Sequence, residues 1–177
     1  MKQSLLLVEG WSRPRKLESV DSLQGFSCGR AELDDWLNQF ALINHSNGMA
    51  MVFVCEIEGE IVAYYALSAG QVGHENAPLR ATKGVANHPI PVVILTRFAV
   101  DLRFQGMGLG RAMSRDLLIR TSNLASDEIG VRALLIHAKD DEAKAFYLAQ
   151  AEFEPSPTDP LHLFLLMKDL RRAIRTP

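Results

Sequence analysis

The chain has 177 residues, of which 47% are hydrophobic, and its formal net charge is −2 at pH 7. This length suits one domain with a sizeable core, so we expect a single domain over residues 1–177. The charge excludes a general attraction to nucleic acid, which would instead need local clusters of the 19 Lys and Arg residues. No apolar run approaches the roughly 18 residues of a membrane span, and the two cysteines lack metal-ligand spacing. We therefore expect a cytoplasmic protein that binds no metal.

The first third of the chain predicts a short strand and a helix. The apolar run Leu5–Val8 predicts the strand, and the basic cluster after it, Arg13, Arg15 and Lys16, is most simply a solvated face. Apolar residues then recur at the i, i+3, i+4 and i+7 spacing of an amphipathic helix, at Leu33, Trp36, Leu37 and Phe40. Asn47-Gly48 provides turn chemistry at the end of this segment.

A strand-rich region follows. Met51–Ile57 and Ile61–Ala69 are rich in β-branched and aromatic residues, and Glu58-Gly59-Glu60 between them predicts an antiparallel hairpin. Residues 70–88 lack periodicity and predict a loop, with room for one helical turn, that carries Arg80 and Lys83. A loop of nearly 20 residues is more often functional or mobile than a simple connection. A central strand is predicted at about Ile90–Val100.

A glycine-rich loop, Gln105–Gly110, joins this central strand to an amphipathic helix. Its three alternating glycines let the backbone approach a bulky anion, and the start of the helix leaves N–H groups that face such an anion. A nucleotide-binding P-loop would need Gly-Lys-Ser/Thr, and the dinucleotide motif would need glycine where Arg111 stands. The loop is therefore predicted to hold a phosphate group of another kind, and the alternative is an ordinary glycine-rich turn.

The last third predicts one more strand–helix–strand unit. Arg132–His137 is a continuous apolar run typical of a buried strand in a parallel pairing. The acidic residues Asp140, Asp141 and Glu142 favour a helix start, and this helix is expected to run to about Gln150. After a proline-rich stretch, Leu161–Met167 predicts a final strand before a basic tail. This order of elements predicts an α/β domain built on a mixed sheet.

The loop residues Gln105–Gly110 match the pattern Gln/Arg-x-x-Gly-x-Gly/Ala, which resembles the pyrophosphate loop of the GNAT N-acetyltransferase superfamily. Further segments resemble the GNAT-type toxins of bacterial type II toxin–antitoxin modules, namely FSCGRAELDDWL, AYYALSAG, RFAVDLRFQGMGLG, IHAKDDEAKAFY and EPSPTDPLHLFLLMKDL. The resemblance implies acetyl-CoA as the acyl donor. It also implies the GNAT acyl-CoA N-acyltransferase fold, a mixed and mostly antiparallel sheet with a central parallel strand pair flanked by helices.

What the resemblance implies for function is transfer of acetyl from acetyl-CoA to the α-amino group of aminoacyl-tRNA, which blocks translation. It further implies control by a ribbon-helix-helix antitoxin and a homodimer. One alternative is a GNAT enzyme that acetylates a small-molecule amine or a protein N-terminus. Another is a degenerate domain that only binds a cofactor or a partner, although the intact loop and Tyr147 argue against it.

Site residues follow from the same resemblance. Tyr147 matches the general acid, although a tyrosine on a helix face shared with Ala143 and Phe146 is otherwise typical of a core. The cofactor-binding residues would be Phe98, Val100, Gln105, Gly106, Met107, Gly108, Gly110 and Arg111. Arg80, Lys83 and Arg97 are the candidates for contact with tRNA phosphates.

No glutamate stands out as a general base, which favours an α-amine substrate. An α-amino group has a pKa of roughly 7.7 to 8.0, whereas a lysine amine with a pKa of about 10.4 needs help to lose its proton. His137 is the one histidine expected near the reaction, and a structural role is favoured over a basic one. Two departures from the family pattern are Thr96, where glycine is usual, and Ala151-Glu152-Phe153, where Gly-Phe is usual.

Overall fold

The computed structural model describes residues 10–125 and 129–175. The predicted strand Leu5–Val8 lies outside these residues. The described chain divides into two compact units. The first unit contains residues 10–66 and 97–113, and the second contains residues 67–96, 114–125 and 129–175.

The strands of the described chain form one mixed sheet in the order β1-β2-β3-β4-β5-β7-β6. They are β1 (Arg15–Lys16), β2 (Met51–Ile57), β3 (Glu60–Val72), β4 (Ile90–Val100), β5 (Ala133–His137), β6 (Glu154–Pro155) and β7 (His162–Leu166). Strands β4 and β5 pair in parallel, whereas β1 with β2, β5 with β7, and β6 with β7 pair antiparallel. The predicted mixed sheet with a central parallel pair is confirmed.

The helices are α1 (Ala31–Gln39), α2 (Ala41–Ser46), α3 (Leu79–Thr82), α4 (Leu109–Leu124), α5 (Asp141–Leu148) and α6 (Met167–Arg175). The basic tail predicted after the last strand is thus a helix, α6, which begins directly after β7. Within the described residues, no helix combines the length and the apolar character needed to cross a membrane.

The prediction of a single amphipathic helix from Leu33 to Phe40 is wrong at the C-terminal end of the helix. The backbone leaves the helical region at Phe40, with φ −122° and ψ −22°, and this residue separates α1 from α2. The break changes the direction of the next turn, so that Ala41 is buried while Phe40 is 50% exposed. Leu33, Trp36 and Leu37 do pack against the core, as predicted.

An aromatic cluster organises the core of the first unit. Tyr64 of β3 is fully buried, with Trp36 stacked on one side at 5.9 Å between ring centroids and Phe26 edge-on at 5.6 Å. Its hydroxyl donates a 2.8 Å hydrogen bond to the carbonyl of Leu33. The bond satisfies the one polar group of this side chain, so β3 and α1 are joined without a buried polar cost.

The hairpin between β2 and β3 turns through Glu58 and Gly59, both of which have positive φ (49° and 84°). This is the two-residue turn that a hairpin with right-handed strand twist favours, so the predicted hairpin is confirmed. Strand β3 extends to Val72, beyond the predicted Ala69. Gly70 permits the extension because a Cβ at this position would overlap the side chain of Ile94.

The core of the second unit forms around β5, which is buried along its length except at His137. Small and branched apolar side chains make up this core: Ala77, Ala81, Ile90, Val92, Ala133, Leu135, Phe164 and Leu166. Strand β5 is flanked by β4 on one side and β7 on the other. Its continuous apolar sequence is therefore explained by a central position in the sheet.

Arg15 is an ion-pair partner rather than part of a solvated face. Its guanidinium binds both carboxylate oxygens of Asp21, at 2.9 and 2.7 Å, and also Glu56. The hydrogen bonds from Arg15 lower the pKa of Asp21 below its ordinary value, although burial acts in the opposite direction. Asp21 therefore stabilises the fold when it is ionised.

We expect Asp21→Asn to lower the free energy of unfolding by about 1–3 kcal/mol at pH 7, because a charge-assisted, two-pronged contact is lost. The folded pKa of Asp21 is depressed, so its contribution is present above the unfolded pKa of about 3.9 and is lost as the pH falls through the folded value. In urea unfolding, the difference between wild type and variant should therefore be smaller at pH 3 than at pH 7. Asp35→Asn, at an exposed position, is the control. A loss of equal size at both pH values would contradict this explanation.

Candidate active site

The glycine-rich loop lies between β4 and α4 in the first unit. A short 3₁₀ turn, Leu102–Phe104, follows the end of β4, and the backbone then takes positive φ at Gly106 (75°) and Gly108 (92°). A Cβ built on either glycine would meet no atom within 4 Å. These glycines are thus required by backbone conformation, and the space above them is open to a bulky ligand.

Asp101 holds the start of this loop. Its carboxylate is 2% exposed and accepts hydrogen bonds from the backbone N–H groups of Arg103 (2.9 Å) and Ser27 (3.3 Å) and from the Arg103 guanidinium. Burial alone would raise the pKa of Asp101, but these donors outweigh burial and lower it. The N–H group of Leu102 also donates to the Ser27 carbonyl at 2.8 Å. Local sequence patterns do not predict this anchor, because Ser27 lies 74 residues from Asp101 along the chain.

The side chain of Gln105 is a second anchor of the loop. Its side-chain nitrogen donates to the carbonyls of Val100 (2.9 Å) and Cys28 (3.1 Å). The amide therefore connects the end of β4 and the segment before α1 to the first residue of the loop. A side chain with donor groups at its tip is therefore needed at the first position of this loop.

The start of α4 provides the groups that can bind an anion. The N–H group of Ala112 makes a helical bond of 3.1 Å to the carbonyl of Gly108, and the N–H groups just before it have no partner within the helix. The positive end of a helix dipole adds to them, and the exposed Arg111 lies in the same turn. The residues present therefore fit a diphosphate.

The predicted β4 contacts, Phe98 and Val100, are partly exposed, and Ala99 between them is buried. The parallel register of β4 with β5 runs from the Val92–Ala133 pair to the Leu95–Ile136 pair. Phe98 and Val100 come after that last pair in the sequence. A strand of this kind can bind a peptide-like ligand through its main chain.

Tyr147 lies on α5 in the second unit. The helix starts with Asp140 as its N-cap, whose carboxylate accepts the N–H of Ala143 at 2.8 Å. The Tyr147 side chain is 7% exposed and makes edge contacts with the rings of Phe146 (5.2 Å) and Phe153 (6.4 Å). Burial raises the pKa of Tyr147, so at neutral pH the phenol is protonated and can donate a hydrogen bond. The Phe153 contact also shows that the unusual Ala151-Glu152-Phe153 segment keeps an aromatic ring against this tyrosine.

The three basic candidates have different surroundings. Arg80 forms ion pairs with Glu154 and with Asp169, the latter at 2.8 Å, so much of its charge is compensated. Lys83 is exposed at the end of α3. The guanidinium of Arg97, in the first unit, lies over the ring of Trp36 at 5.2 Å, a cation–π contact. Of the two candidates in the second unit, Lys83 is the one more accessible to an anion.

Comparison with known proteins bears on this site. The family described as "Acetyltransferase (GNAT) family" matches residues 15–153. A protein of Mycobacterium tuberculosis named "tRNA-acetylating toxin" is 47% identical over 167 residues, which cover 94% of this chain and 99% of that protein.

Solved structures are also similar. The structure of AtaT complexed with acetyl-methionyl-tRNA has a TM-score of 0.83 and 22% identity, with 92% of this chain and 98% of that chain covered. A tyrosine-to-phenylalanine mutant of AtaT, bound to the C-terminus of the antitoxin AtaR and acetyl-CoA, has a TM-score of 0.78 and 21% identity, with coverage of 94% and 99%. At this identity the likeness shows a common fold.

We expect Gly106→Ala and Gly108→Ala to weaken acetyl-CoA binding at least about tenfold, because a side chain costs roughly 1–2 kcal/mol in the left-handed region and narrows the approach to the N–H groups. Gly48→Ala is the matched control, since Gly48 also has positive φ (78°) and open surroundings but lies outside the loop. All three variants should lose similar stability in urea unfolding. Titration calorimetry that finds equal acetyl-CoA affinity in all three would contradict the assignment of the loop.

Proposed function

The chain belongs to the acetyltransferase (GNAT) family, and we propose that it transfers the acetyl group of acetyl-CoA to the α-amino group of aminoacyl-tRNA. The open glycine loop at the start of α4 is the observation that supports acetyl-CoA as the acyl donor. The 47% identity to a tRNA-acetylating toxin, over nearly the whole of both chains, supports the acceptor.

Acetyl-CoA supplies an activated thioester. The N–H groups of residues 105–111 would bind its diphosphate, and Arg111 would neutralise phosphate charge. The pantetheine arm is peptide-like, and Phe98–Val100 would bind it through main-chain hydrogen bonds as an added strand. This explains why these positions need only apolar side chains, and an amide of the same strand would stabilise developing negative charge on the acyl oxygen.

Tyr147 would donate a hydrogen bond to the departing thiolate. A phenol has an ordinary pKa of about 10 and a thiol, with cysteine as proxy, of about 8.5, so full proton transfer would be uphill by roughly 2 kcal/mol. Burial raises the pKa of Tyr147 further and makes full transfer less favourable still. The role that fits the structure is therefore that of a neutral donor that stabilises the thiolate as it forms.

The biological setting follows from the acceptor. Acetylation of the α-amine would block the use of aminoacyl-tRNA in translation, so the protein would act as a toxin in the cytoplasm. AtaT is bound to the antitoxin AtaR in a solved structure, and we propose a corresponding antitoxin of the ribbon-helix-helix class for this chain. We further propose a homodimer, with residues 1–177 as one catalytic domain in each protomer.

The proposed function is tested with purified protein, labelled acetyl-CoA and three acceptors. Label should pass to charged tRNA and not to deacylated tRNA or to the amino acid alone. Transfer only to small amines or to protein N-termini would replace this proposal by that of a general N-acetyltransferase. Binding of acetyl-CoA without transfer to any acceptor would indicate a domain that only binds the cofactor.

For tRNA we propose that Lys83 and Arg97 contact phosphates, with Arg80 as a weaker contributor because two carboxylates already bind it. Such contacts would place the tRNA without reading its sequence. They would also account for tRNA binding by a chain whose net charge is −2, since binding would depend on local rather than overall charge.

Lys83→Ala should raise the KM for charged tRNA about threefold to tenfold and leave kcat unchanged, because one phosphate contact is lost. The slope of log affinity against log salt should fall by about one. Lys16→Ala removes another exposed lysine, outside the proposed contact surface, and should change neither quantity. An unchanged salt dependence in the Lys83 variant would remove Lys83 from the tRNA contacts.

We expect Tyr147→Phe to retain acetyl-CoA affinity and to lose at least about 100-fold in turnover, because only the hydroxyl is removed. Tyr65→Phe, which alters another buried tyrosine, is the control and should retain turnover. Calorimetry and acetyl transfer to charged tRNA provide the two readouts. Turnover close to that of wild type in the Tyr147 variant would rule out its role.

A further inference from the structure

A cavity of about 470 Å³ lies within the second unit, at the end of β5. Polar side chains from five segments line it: Gln71 of β3, Asn76 of the following 3₁₀ turn, His137 of β5, Thr158 and Asp159 of the turn before β7, and His162 of β7. Leu135 and Phe164 provide an apolar part of the lining. The volume lies within the range of small-molecule sites, and the proposed function assigns none of this lining.

Hydrogen bonds fix the walls of this cavity. The hydroxyl of Thr158 donates to the side-chain carbonyl of Asn76 at 2.7 Å, which joins the turn before β7 to the 3₁₀ turn after β3. One oxygen of Asp159 accepts the N–H of Leu161 at 2.9 Å, so this carboxylate is held in place by its own turn. The polar groups that face the cavity are therefore positioned by the fold.

Two histidines form the centre of the lining. His137 and His162 are partners in the β5–β7 register, and their rings stack at 3.9 Å between centroids with 22° between planes. Two protonated imidazoles at this distance would repel each other. The second carboxylate oxygen of Asp159 lies 3.4 Å from Nε2 of His162, so this carboxylate is directed at the His162 ring. The neighbouring His162 ring therefore favours the neutral form of His137.

The charge of the cavity indicates the kind of ligand. Among the described residues that line it there is a carboxylate, Asp159, and neither Lys nor Arg. A cavity with one negative charge, two amides and a hydroxyl suits a cation with several N–H donors and does not suit a phosphate. A primary ammonium group is such a cation.

We propose that this cavity receives the aminoacyl group of the substrate and that His137 accepts the proton which its α-ammonium must lose before acetyl transfer. The proposal rests on the proposed function. It assigns a catalytic role to His137, for which the sequence alone favours a structural role. The helix that carries Tyr147 begins at Asp141, shortly after His137 in the sequence, so β5 and α5 would supply the two groups that handle protons.

The proton balance is complete without another reactant. One N–H proton of the α-ammonium passes to the imidazole of His137, and the nitrogen keeps the electron pair that forms the C–N bond as the C–S bond breaks. A second N–H proton of the same nitrogen ends on the thiol product. His137 is exposed at the end of its strand and returns its proton to water.

The electrostatic surroundings keep His137 in the required state. Partial burial lowers its pKa, the neighbouring His162 of β7 lowers it further, and Asp159 of the preceding turn acts in the opposite direction. The net result lies below the ordinary value of about 6.5, so the ring is neutral at pH 7. A neutral imidazole of this kind is available as an acceptor across the physiological range.

The first test uses the protein without acetyl-CoA. In histidine NMR spectra, a panel of amino acid methyl esters should shift the His137 resonances, whereas the matching N-acetyl esters, which lack the ammonium group, should not. The resonances of His88, an exposed histidine outside the cavity lining, serve as the control. Absence of any shift at His137 with all the esters would overturn the proposal.

The second test compares single-turnover acetylation of charged tRNA by wild type, His137→Gln and His88→Gln. The His137 variant should be slower by at least about tenfold at pH 6.5 and by less than about threefold at pH 8.5, where the amine loses its proton unaided. The His88 variant should follow wild type at both. His162→Gln removes the neighbour that lowers the pKa of His137. In this variant, the fall in the acetylation rate at low pH should therefore begin at a higher pH than in wild type.

The outcomes separate the two proposals. If wild type does not acetylate charged tRNA, the proposed function fails and this inference fails with it. If wild type acetylates charged tRNA but the His137 variant keeps the wild-type profile from pH 6.5 to 8.5, the inference alone is wrong.

Discussion

The buried carboxylate of Asp101 fixes the loop on which the proposed function depends. It sits at the end of β4 and accepts hydrogen bonds from Arg103 and from the Ser27 backbone, while Gln105 binds the carbonyls of Val100 and Cys28. These contacts set the course of the chain before the two glycines with positive φ. The N–H groups at the start of α4 can then face a ligand without rearrangement. The anion site is preformed in this sense.

The proposed chemistry uses side chains that are uncharged at neutral pH. Tyr147 is buried and protonated, and His137 is neutral and next to a second histidine that has its own carboxylate. Such a site suits an amine that is close to neutral at physiological pH and a thiolate that needs only a hydrogen bond. It would be poorly suited to a lysine side chain, whose higher pKa would require a stronger base.

Local sequence patterns predicted much of this structure. The glycine spacing predicts the loop, the β-branched run predicts β4, and the acidic residues Asp140, Asp141 and Glu142 predict the start of α5. These features depend on neighbours within a few positions. The ordinary rules of backbone conformation are therefore sufficient for them.

The missed features all depend on contacts between distant parts of the chain. The role of Asp101 has no local signal because its partner Ser27 is 74 residues away, and the pairing of Arg80 with Asp169 spans 89 residues. The stacking of His137 on His162 needs the register between β5 and β7, which no single segment encodes. The break at Phe40 likewise depends on which residue of the turn can be buried, and that is decided by packing.

The claim that the loop at the start of α4 binds the diphosphate of the acyl donor is tested most directly by calorimetric titration of the wild-type protein with acetyl-CoA and with S-acetylpantetheine. The second compound keeps the thioester and the peptide-like arm but lacks the diphosphate and the 3′-phosphoadenosine joined to it. Acetyl-CoA should bind at least about 100-fold more tightly, since several backbone N–H contacts and the helix end act on the diphosphate, which S-acetylpantetheine cannot offer. Equal affinity for the two compounds would contradict it.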